Sequence, residues 1–155
     1  MTNRSLGTWA EAWRRRLQHG VAPLDDLKRS ADGQIRSAEN PPHWLLDVAL
    51  AQSWDEALSV LGQDTGPFDE VRAFRGLVEG WRDLFERDPS TASRIGLAMY
   101  RIATYSDEFT PEEAVGDMQS IGHDLDMSHL GLFDRDSLES QLSEFLERWA
   151  DSEFA

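Results

Sequence analysis

The sequence predicts an all-α protein, a single-domain bundle of seven or eight helices, with stacked helical hairpins as one possible arrangement. Apolar residues recur at steps of three and four along almost the whole chain, which is typical of amphipathic helices. No convincing run of five or more alternating polar and apolar residues indicates a strand. A chain of 155 residues with 40% hydrophobic content, six Trp and seven Phe is long enough to bury the core of one domain.

Four helical segments are predicted before residue 62. Gly20 stops the first, Pro23 opens the second and Pro41-Pro42 precede the third. Ser53 and Glu56 form a capping-box pair at the start of the fourth. The apolar positions of the four segments are Leu6, Trp9, Trp13 and Leu17; Leu24, Leu27, Ala31 and Ile35; Trp44 to Leu50; and Ala57, Leu58, Val60 and Leu61.

Four more helices are predicted after the loop of residues 62–67. Asp88-Pro89 separates the first two, Thr110 caps the third with Pro111 at its first position, and Asp136 opens the last with Glu139 three residues on. Their predicted core positions are Phe68, Val71, Phe74, Val78, Trp81 and Phe85; Ile95, Ala98, Met99 and Ile102; Val115, Met118, Ile121 and Leu125; and Leu138, Leu142, Phe145, Leu146 and Trp149.

The negative charge is concentrated in the last third of the chain. Residues 106–155 contain fourteen Asp and Glu against two Arg, whereas the first 105 residues contain fifteen acids against thirteen bases. Like charges packed together cost stability, and a role in solubility alone predicts acids and bases interspersed over the whole surface. The asymmetry therefore predicts an electronegative face for a basic protein partner. The net charge of −14 argues against binding to nucleic acid.

Composition also limits the cellular setting. No apolar run approaches the ~20 residues of a membrane span, and the polar N-terminus does not resemble a signal peptide. The absence of Cys excludes disulfides, thiolate zinc sites and a Cys nucleophile. We therefore expect a cytoplasmic protein without a membrane partner.

The best metal candidates are His123, Asp124, Asp126 and His129. Their spacing matches no His-Glu-x-x-His or Glu-x-x-His signature. A calcium loop starting at Asp124 would need Gly where His129 stands and Glu where Arg135 stands. The segment is therefore interpreted as a helix end and turn, and we predict no metal and no cofactor.

Catalytic residues are not predicted. The pairs Asp107-Glu108 and Glu112-Glu113 could serve as carboxylate acid–base couples, but acids near a helix start are explained by the helix dipole. No Ser lies in a Gly-x-Ser-x-Gly elbow, and no phosphate-binding loop is present. The basic run 14–16 is interpreted as the solvated side of the first helix. We therefore predict a protein that is not an enzyme.

The acids around the starts of the last two helices, and between those helices, are the predicted partner-binding residues. They are Asp107, Glu108, Glu112, Glu113, Asp117, Asp124, Asp126, Asp134 and Asp136. Because charge contributes more to rate and specificity than to affinity, an aromatic anchor is expected nearby. The candidates are Tyr100, Tyr105, Phe109 and Phe133.

The stretch 20–61 resembles the opening of small, acidic, helical bacterial immunity-type proteins of polymorphic toxin systems. The similar features are Gly20-Val21, a Leu-x-x-Leu helix, Ala31-Asp32 followed by Ile35, Pro41-Pro42-x-Trp44-Leu45, and Leu-Asp-x-Ala-Leu at Leu46 to Leu50. Members of that group often carry Trp where this chain has Ser30.

The resemblance implies a cytoplasmic, non-enzymatic protein that binds and neutralises one cognate toxin. Nucleases are candidate toxins, since their surfaces are basic and an acidic protein competes there with phosphate. The alternative is a helical adaptor or assembly subunit without a toxin partner. Binding through charge weakens as salt rises, whereas an apolar adaptor contact hardly responds.

Overall fold

Eight α-helices and two short 3₁₀ turns form the regular structure of the chain, which a computed structural model describes for residues 3–151. The helices are α1 (Asn3–Gln18), α2 (Leu24–Ser37), α3 (His43–Leu50), α4 (Trp54–Leu61), α5 (Glu70–Arg87), α6 (Ala92–Tyr105), α7 (Glu112–Asp126) and α8 (Arg135–Trp149). No strand occurs within that range, so the prediction of an all-α protein is confirmed. No helix in the same range is both long and apolar enough to span a membrane.

The chain divides into two compact units, Met1–Leu77 and Val78–Ala155. The boundary falls inside α5. The prediction that residues 1–155 form a single domain stays a prediction.

The first unit is built around the apolar side of α1. In this unit α1 packs on α4, and α3 packs on both α2 and α4. Two indole N–H groups are satisfied inside the unit, because Trp9 Nε1 donates to Ser30 Oγ at 3.0 Å and Trp54 Nε1 donates to the Leu17 carbonyl at 3.2 Å. The buried core contains Leu6, Trp9, Ala10, Trp13, Leu17, Leu27, Ala31, Leu45, Val48, Ala51, Ala57 and Leu61.

The basic run of α1 is not the solvated surface that the sequence suggested. Arg15 and Arg16 are only 3% and 5% exposed. Arg16 Nε donates to the Gly76 carbonyl at 2.8 Å, and its guanidinium lies 4.6 Å from the centre of the Trp13 ring. Long Arg stems bury well when the charged head finds acceptors and an aromatic face. The interpretation was wrong for Arg16 because its acceptor, the Gly76 carbonyl, lies sixty residues away in the sequence.

Glu11 is the carboxylate that pairs with the other two arginines of the run. It lies 2.7 Å from Arg14 Nη2 and 3.0 Å from Arg15 Nε. Burial by itself raises the pKa of Glu11, but the hydrogen bonds and charges of the two arginines outweigh burial and lower the pKa below its ordinary value of 4.5. The folded unit thus holds Glu11 in its ionised form.

This pairing makes the stability of the protein sensitive to acid. The stabilisation from Glu11 is fully present above its unfolded pKa and is lost as the pH falls through its lower folded pKa. We therefore predict that Glu11→Gln weakens the dependence of the unfolding free energy on pH below about 4.5. Urea unfolding between pH 3 and 7 measures this. The exposed Glu39, changed to Gln, is the control, and an identical pH profile for both variants would contradict the prediction.

The apolar stripe of α5 differs from the predicted one at its start. Phe74 and Trp81 are fully buried, but Phe68 and Val71 are 36% and 43% exposed. Phe68 precedes the helix, which begins at Glu70. The position of Phe68 is therefore not governed by the helical period of 3.6 residues.

The predicted cap at Ser53 is correct, whereas Asp88 caps a 3₁₀ turn, Pro89–Thr91, that precedes α6, and the predicted starts of α7 and α8 are shifted. Ser53 Oγ accepts from Glu56 N at 3.1 Å, and Asp88 Oδ1 accepts from Ser90 N at 3.1 Å, as capping residues do. The cap of α7 is Pro111 and makes no side-chain hydrogen bond, so Thr110 does not cap the helix.

The start of α8 was also placed too late by the sequence. Its cap is Asp134, which accepts from the backbone N–H of Asp136 at 3.2 Å, rather than Asp136 itself. Asp136 has Glu139 at the spacing of a capping box, but Asp134 is an equally suitable capping residue two positions earlier. The spacing to Glu139 therefore does not decide which Asp caps the helix.

The second unit depends on a close approach of α6 and α7. A Cβ atom on Gly122 would lie 2.5 Å from the Gly96 carbonyl oxygen and 2.9 Å from the Tyr100 nitrogen. A Cβ atom on Gly96 would lie 2.7 Å from the Cβ of Leu125. Because Gly122 faces backbone atoms, no side-chain rotation can make room there. α8 packs on the same α7.

Substitutions at three glycines test this contact. We predict that Gly122→Ala and Gly96→Ala each destabilise the protein by about 1–3 kcal/mol, the usual cost of overpacking. Gly116 is the matched control, because it lies in α7 with nothing within 4 Å of its added Cβ. Gly116→Ala should instead stabilise by about 0.5–1 kcal/mol. Urea unfolding measures all three, and a wild-type value for Gly122→Ala would contradict the close contact.

Candidate protein-binding face

The outward face of α7 carries four of the predicted carboxylates. Glu112, Glu113 and Asp117 are exposed and Asp124 is half-buried. At 100° per residue the four positions lie within an arc of about 140° around the helix axis. The buried residues of α7 occupy the other side: Ala114, Met118, Ile121, Gly122 and Leu125. These four carboxylates are called the outward acidic face below.

The other five predicted acids lie outside that face. Asp107 is exposed and Glu108 half-buried in the segment before α7, where Glu108 N donates to Ser106 Oγ at 2.9 Å. Asp126 is the last residue of α7, and the exposed Asp134 and Asp136 lie at the start of α8. The structure thus places five of the nine acids in the segments that precede and follow α7 and at its last position.

The outward acidic face has no basic partner in the part of the chain that the structure describes. None of its carboxylates forms an ion pair with Arg or Lys there. The imidazole of His123 is next to the face, with its Nδ1 3.4 Å from Asp124 Oδ1. The arginines that do form ion pairs in this unit contact other acids, for example Arg82 with Glu79 and Arg87 with Asp83.

A groove of about 310 Å³ lies between α7 and α8. Ile121 and Phe145, which are 7% and 4% exposed, provide apolar lining, and Asp117 lines the groove from the outward acidic face. The remaining lining residues are Ser120, Gln141, Glu144 and Arg148. The groove therefore combines an apolar surface with two carboxylates and one guanidinium.

Two of the four aromatic candidates form a pair beside the outward acidic face. Tyr105 is 76% exposed, and its ring packs edge-on against Tyr100 with centroids 6.1 Å apart. The hydrogen bond between the two hydroxyl groups, and the charge of Tyr105, raise the pKa of Tyr100 above its ordinary value. The Tyr100 ring also lies 5.7 Å from the His123 ring, next to Asp124.

The connection between α7 and α8 exposes two apolar side chains that the sequence did not predict to be part of a binding surface. Leu130 is 50% exposed and Leu132 is 73% exposed. They lie beside Phe133, a predicted aromatic anchor, which is 36% exposed. Residues 130–133 are called the tip below. The sequence signal that could have predicted this exposure is the run Leu-Gly-Leu-Phe, which has neither helical nor strand periodicity and lies between the end of α7 and the start of α8.

Arg135 forms a hydrogen-bond network with residues near the tip. Its Nη1 donates to Ser93 Oγ at 2.8 Å and to Ser128 Oγ, while its Nε lies 3.1 Å from Glu139 Oε1. Both serine hydroxyls donate onward to the Leu125 carbonyl, at 3.2 Å and 2.7 Å. The network thus satisfies a carbonyl at the end of α7 and joins α6, α7 and α8.

The four metal candidates do not assemble into a binding site. His129 Nδ1 lies 3.0 Å from the Asp126 carbonyl, and His123 contacts Asp124. Among the described residues, no group of three or more His, Asp or Glu is arranged to hold a metal ion. The segment has the geometry of a helix end followed by a 3₁₀ turn.

Comparison of this chain with protein-family models, with curated proteins and with solved structures found no match.

The Arg135 network yields a stability prediction. We expect Arg135→Ala to destabilise the protein by about 1–2 kcal/mol, because it removes charge-assisted hydrogen bonds. We also expect faster amide hydrogen exchange in residues 127–134. The control is Arg101→Ala, since Arg101 is exposed and makes no ion pair among residues 3–151. Unchanged exchange in Arg135→Ala would show that the network does not hold the segment.

Proposed function

We propose that this chain is an immunity-type inhibitor that binds and neutralises a basic cognate protein, a toxin domain such as a nuclease, in the cytoplasm. The observation that carries the proposal is the outward acidic face of α7, whose carboxylates have no Arg or Lys partner among residues 3–151. A basic protein would supply the missing charges. The resemblance of residues 20–61 to immunity-type proteins favours the same function.

Electrostatics explains why such a face would be retained. Adjacent carboxylates repel one another and lower the stability of the folded chain. The same field attracts a cationic surface and can raise the association rate by about 10–10³-fold. Rapid association matters for an inhibitor, because free toxin acts until it is bound.

The groove between α7 and α8 provides a recess for a basic side chain. The stem of an Arg or Lys would lie on Phe145 and Ile121, while its head would reach Asp117 or Glu144. Arg combines apolar packing with bidentate contact to carboxylates, so it suits this lining best. The exposed ring of Tyr105 offers a residue type that is enriched among the anchors of protein interfaces.

A charge-reversal variant tests the proposal. The first step is to determine whether the gene immediately upstream encodes a toxin domain, which then serves as the purified partner. A neighbouring gene of another kind would contradict the immunity function. We predict that the triple variant Glu113→Lys, Asp117→Lys, Asp124→Lys associates with the purified partner at least about tenfold more slowly at low salt. Stopped-flow or surface-plasmon measurements at 50 mM and 500 mM NaCl provide the rates.

The control carries the same change of charge in the first unit. Asp32, Glu39 and Asp55 are exposed there, and reversing all three to Lys should leave the association rate closer to wild type. Equal rates for wild type and the α7 variant would contradict the proposal. Binding that does not respond to salt would favour the helical adaptor, and no binding by the wild-type chain would remove the immunity function.

A further inference from the structure

The tip is an unusual surface for so charged a unit. Three large apolar side chains are exposed within four residues, Leu130 at 50%, Leu132 at 73% and Phe133 at 36%. Single exposed apolar residues are ordinary, but a cluster of them marks a site of interaction. Leu130 is the last residue of the 3₁₀ turn Met127–Leu130, and residues 131–133 form no helix or strand.

The backbone that carries these side chains is held in place. Gly131 has φ = 72°, a left-handed conformation that reverses the chain between the two leucines and favours Gly. Asp134 caps α8 directly after the tip, the Gly131 N–H donates to the Ser128 carbonyl at 3.1 Å, and Arg135 bonds the Ser128 hydroxyl two residues before the tip. The apolar groups are therefore presented in a defined geometry. Pre-organisation of this kind lowers the entropy cost of binding.

Acidic residues flank the tip on both sides in the chain. Asp126 precedes it, and Asp134 and Asp136 follow it. The nearest Arg or Lys in the sequence is Arg135, whose guanidinium is engaged with Ser93, Ser128 and Glu139. An apolar centre with charged residues around it is the usual anatomy of a protein interface. Here the charge is of one sign, so the complementary surface is an apolar recess bordered by Lys and Arg.

We propose that the tip is the apolar anchor of the interface, inserted into a hydrophobic recess of the same basic protein that the outward acidic face attracts. This inference rests on the proposed function and assigns a second, separable role to residues outside the outward acidic face. A second copy of this chain is the less suitable occupant, because it would bring the same acids against one another.

The two parts of the interface affect different rate constants. Charges at a distance act on encounter, so they govern the association rate and its dependence on salt. Apolar contacts form only after docking, so they govern the dissociation rate. Loss of the tip should therefore leave association almost unchanged and shorten the lifetime of the complex.

The experiment compares two double variants with matched exposure. Leu132→Ser with Phe133→Ser removes two tip residues that are 73% and 36% exposed. Leu50→Ser with Phe68→Ser removes residues of the first unit with the same exposures, 73% and 36%. Each is mixed with the same purified partner as the charge-reversal variant, and association and dissociation rates are measured in the same way. Thermal unfolding followed by circular dichroism confirms that both variants are folded.

We expect the tip variant to dissociate at least about tenfold faster, with an association rate within twofold of wild type. The Leu50 and Phe68 variant should match wild type in both rates. A wild-type dissociation rate for the tip variant would overturn the inference, while slow association of the α7 charge variant would still support the proposed function. No binding by the wild-type chain would overturn both.

Self-association is measured in parallel by sedimentation velocity of the chain alone. If the wild-type chain is a dimer and the tip variant a monomer, the tip is a contact between copies and the inference is wrong. The same sedimentation behaviour for both, together with the faster dissociation, supports the tip as the anchor for a different protein.

Discussion

The close approach of α6 and α7 is the constraint on which the second unit depends. At Gly96 and Gly122 the two backbones are so near that a single methyl group on either residue would meet the opposite helix. This contact fixes the rotation of α7 about its own axis, because only one side of the helix carries that Gly. Once Gly122 faces α6, Asp117 and Asp124 necessarily lie away from it. The direction of the outward acidic face is thus a consequence of backbone packing rather than of the charges themselves.

The arrangement of the arginines adds to the imbalance of charge. Residues 78–155 contain eighteen acids and six Arg, so most carboxylates have no basic partner available in their own unit. Arg82 and Arg87 are paired with acids of α5, and Arg135 is used to hold the end of α7 and the start of α8. An Arg placed there contributes hydrogen bonds to the structure more than it neutralises the surface. The result is an excess of unpaired carboxylates in this unit.

Local signals in the sequence were sufficient to predict the helices, but not the exposure and the distant contacts of their side chains. Periodicity predicted the helical segments, and Ser53 was correctly identified as a cap because its partner lies three residues away. The cap of α8 was misplaced because two acids compete within three residues. The burial of Arg16 was missed because its acceptor, the Gly76 carbonyl, is sixty residues distant. The exposure of Leu132 was missed because a non-periodic run carries no sign of its direction.

The sequence by itself determined the helical class, the approximate segments and the concentration of acids after residue 105, because these follow from composition and from spacing within a few residues. It also contained the nine acids proposed to bind a partner, and helical spacing alone places four of them on one side of α7. Only the tertiary structure decided that this side faces away from α6 and that Asp134 caps α8. The groove between α7 and α8 was also visible only in the tertiary structure. The physical reason is that a side chain's exposure and partners depend on which elements pack around it, and those contacts join residues that are distant along the chain.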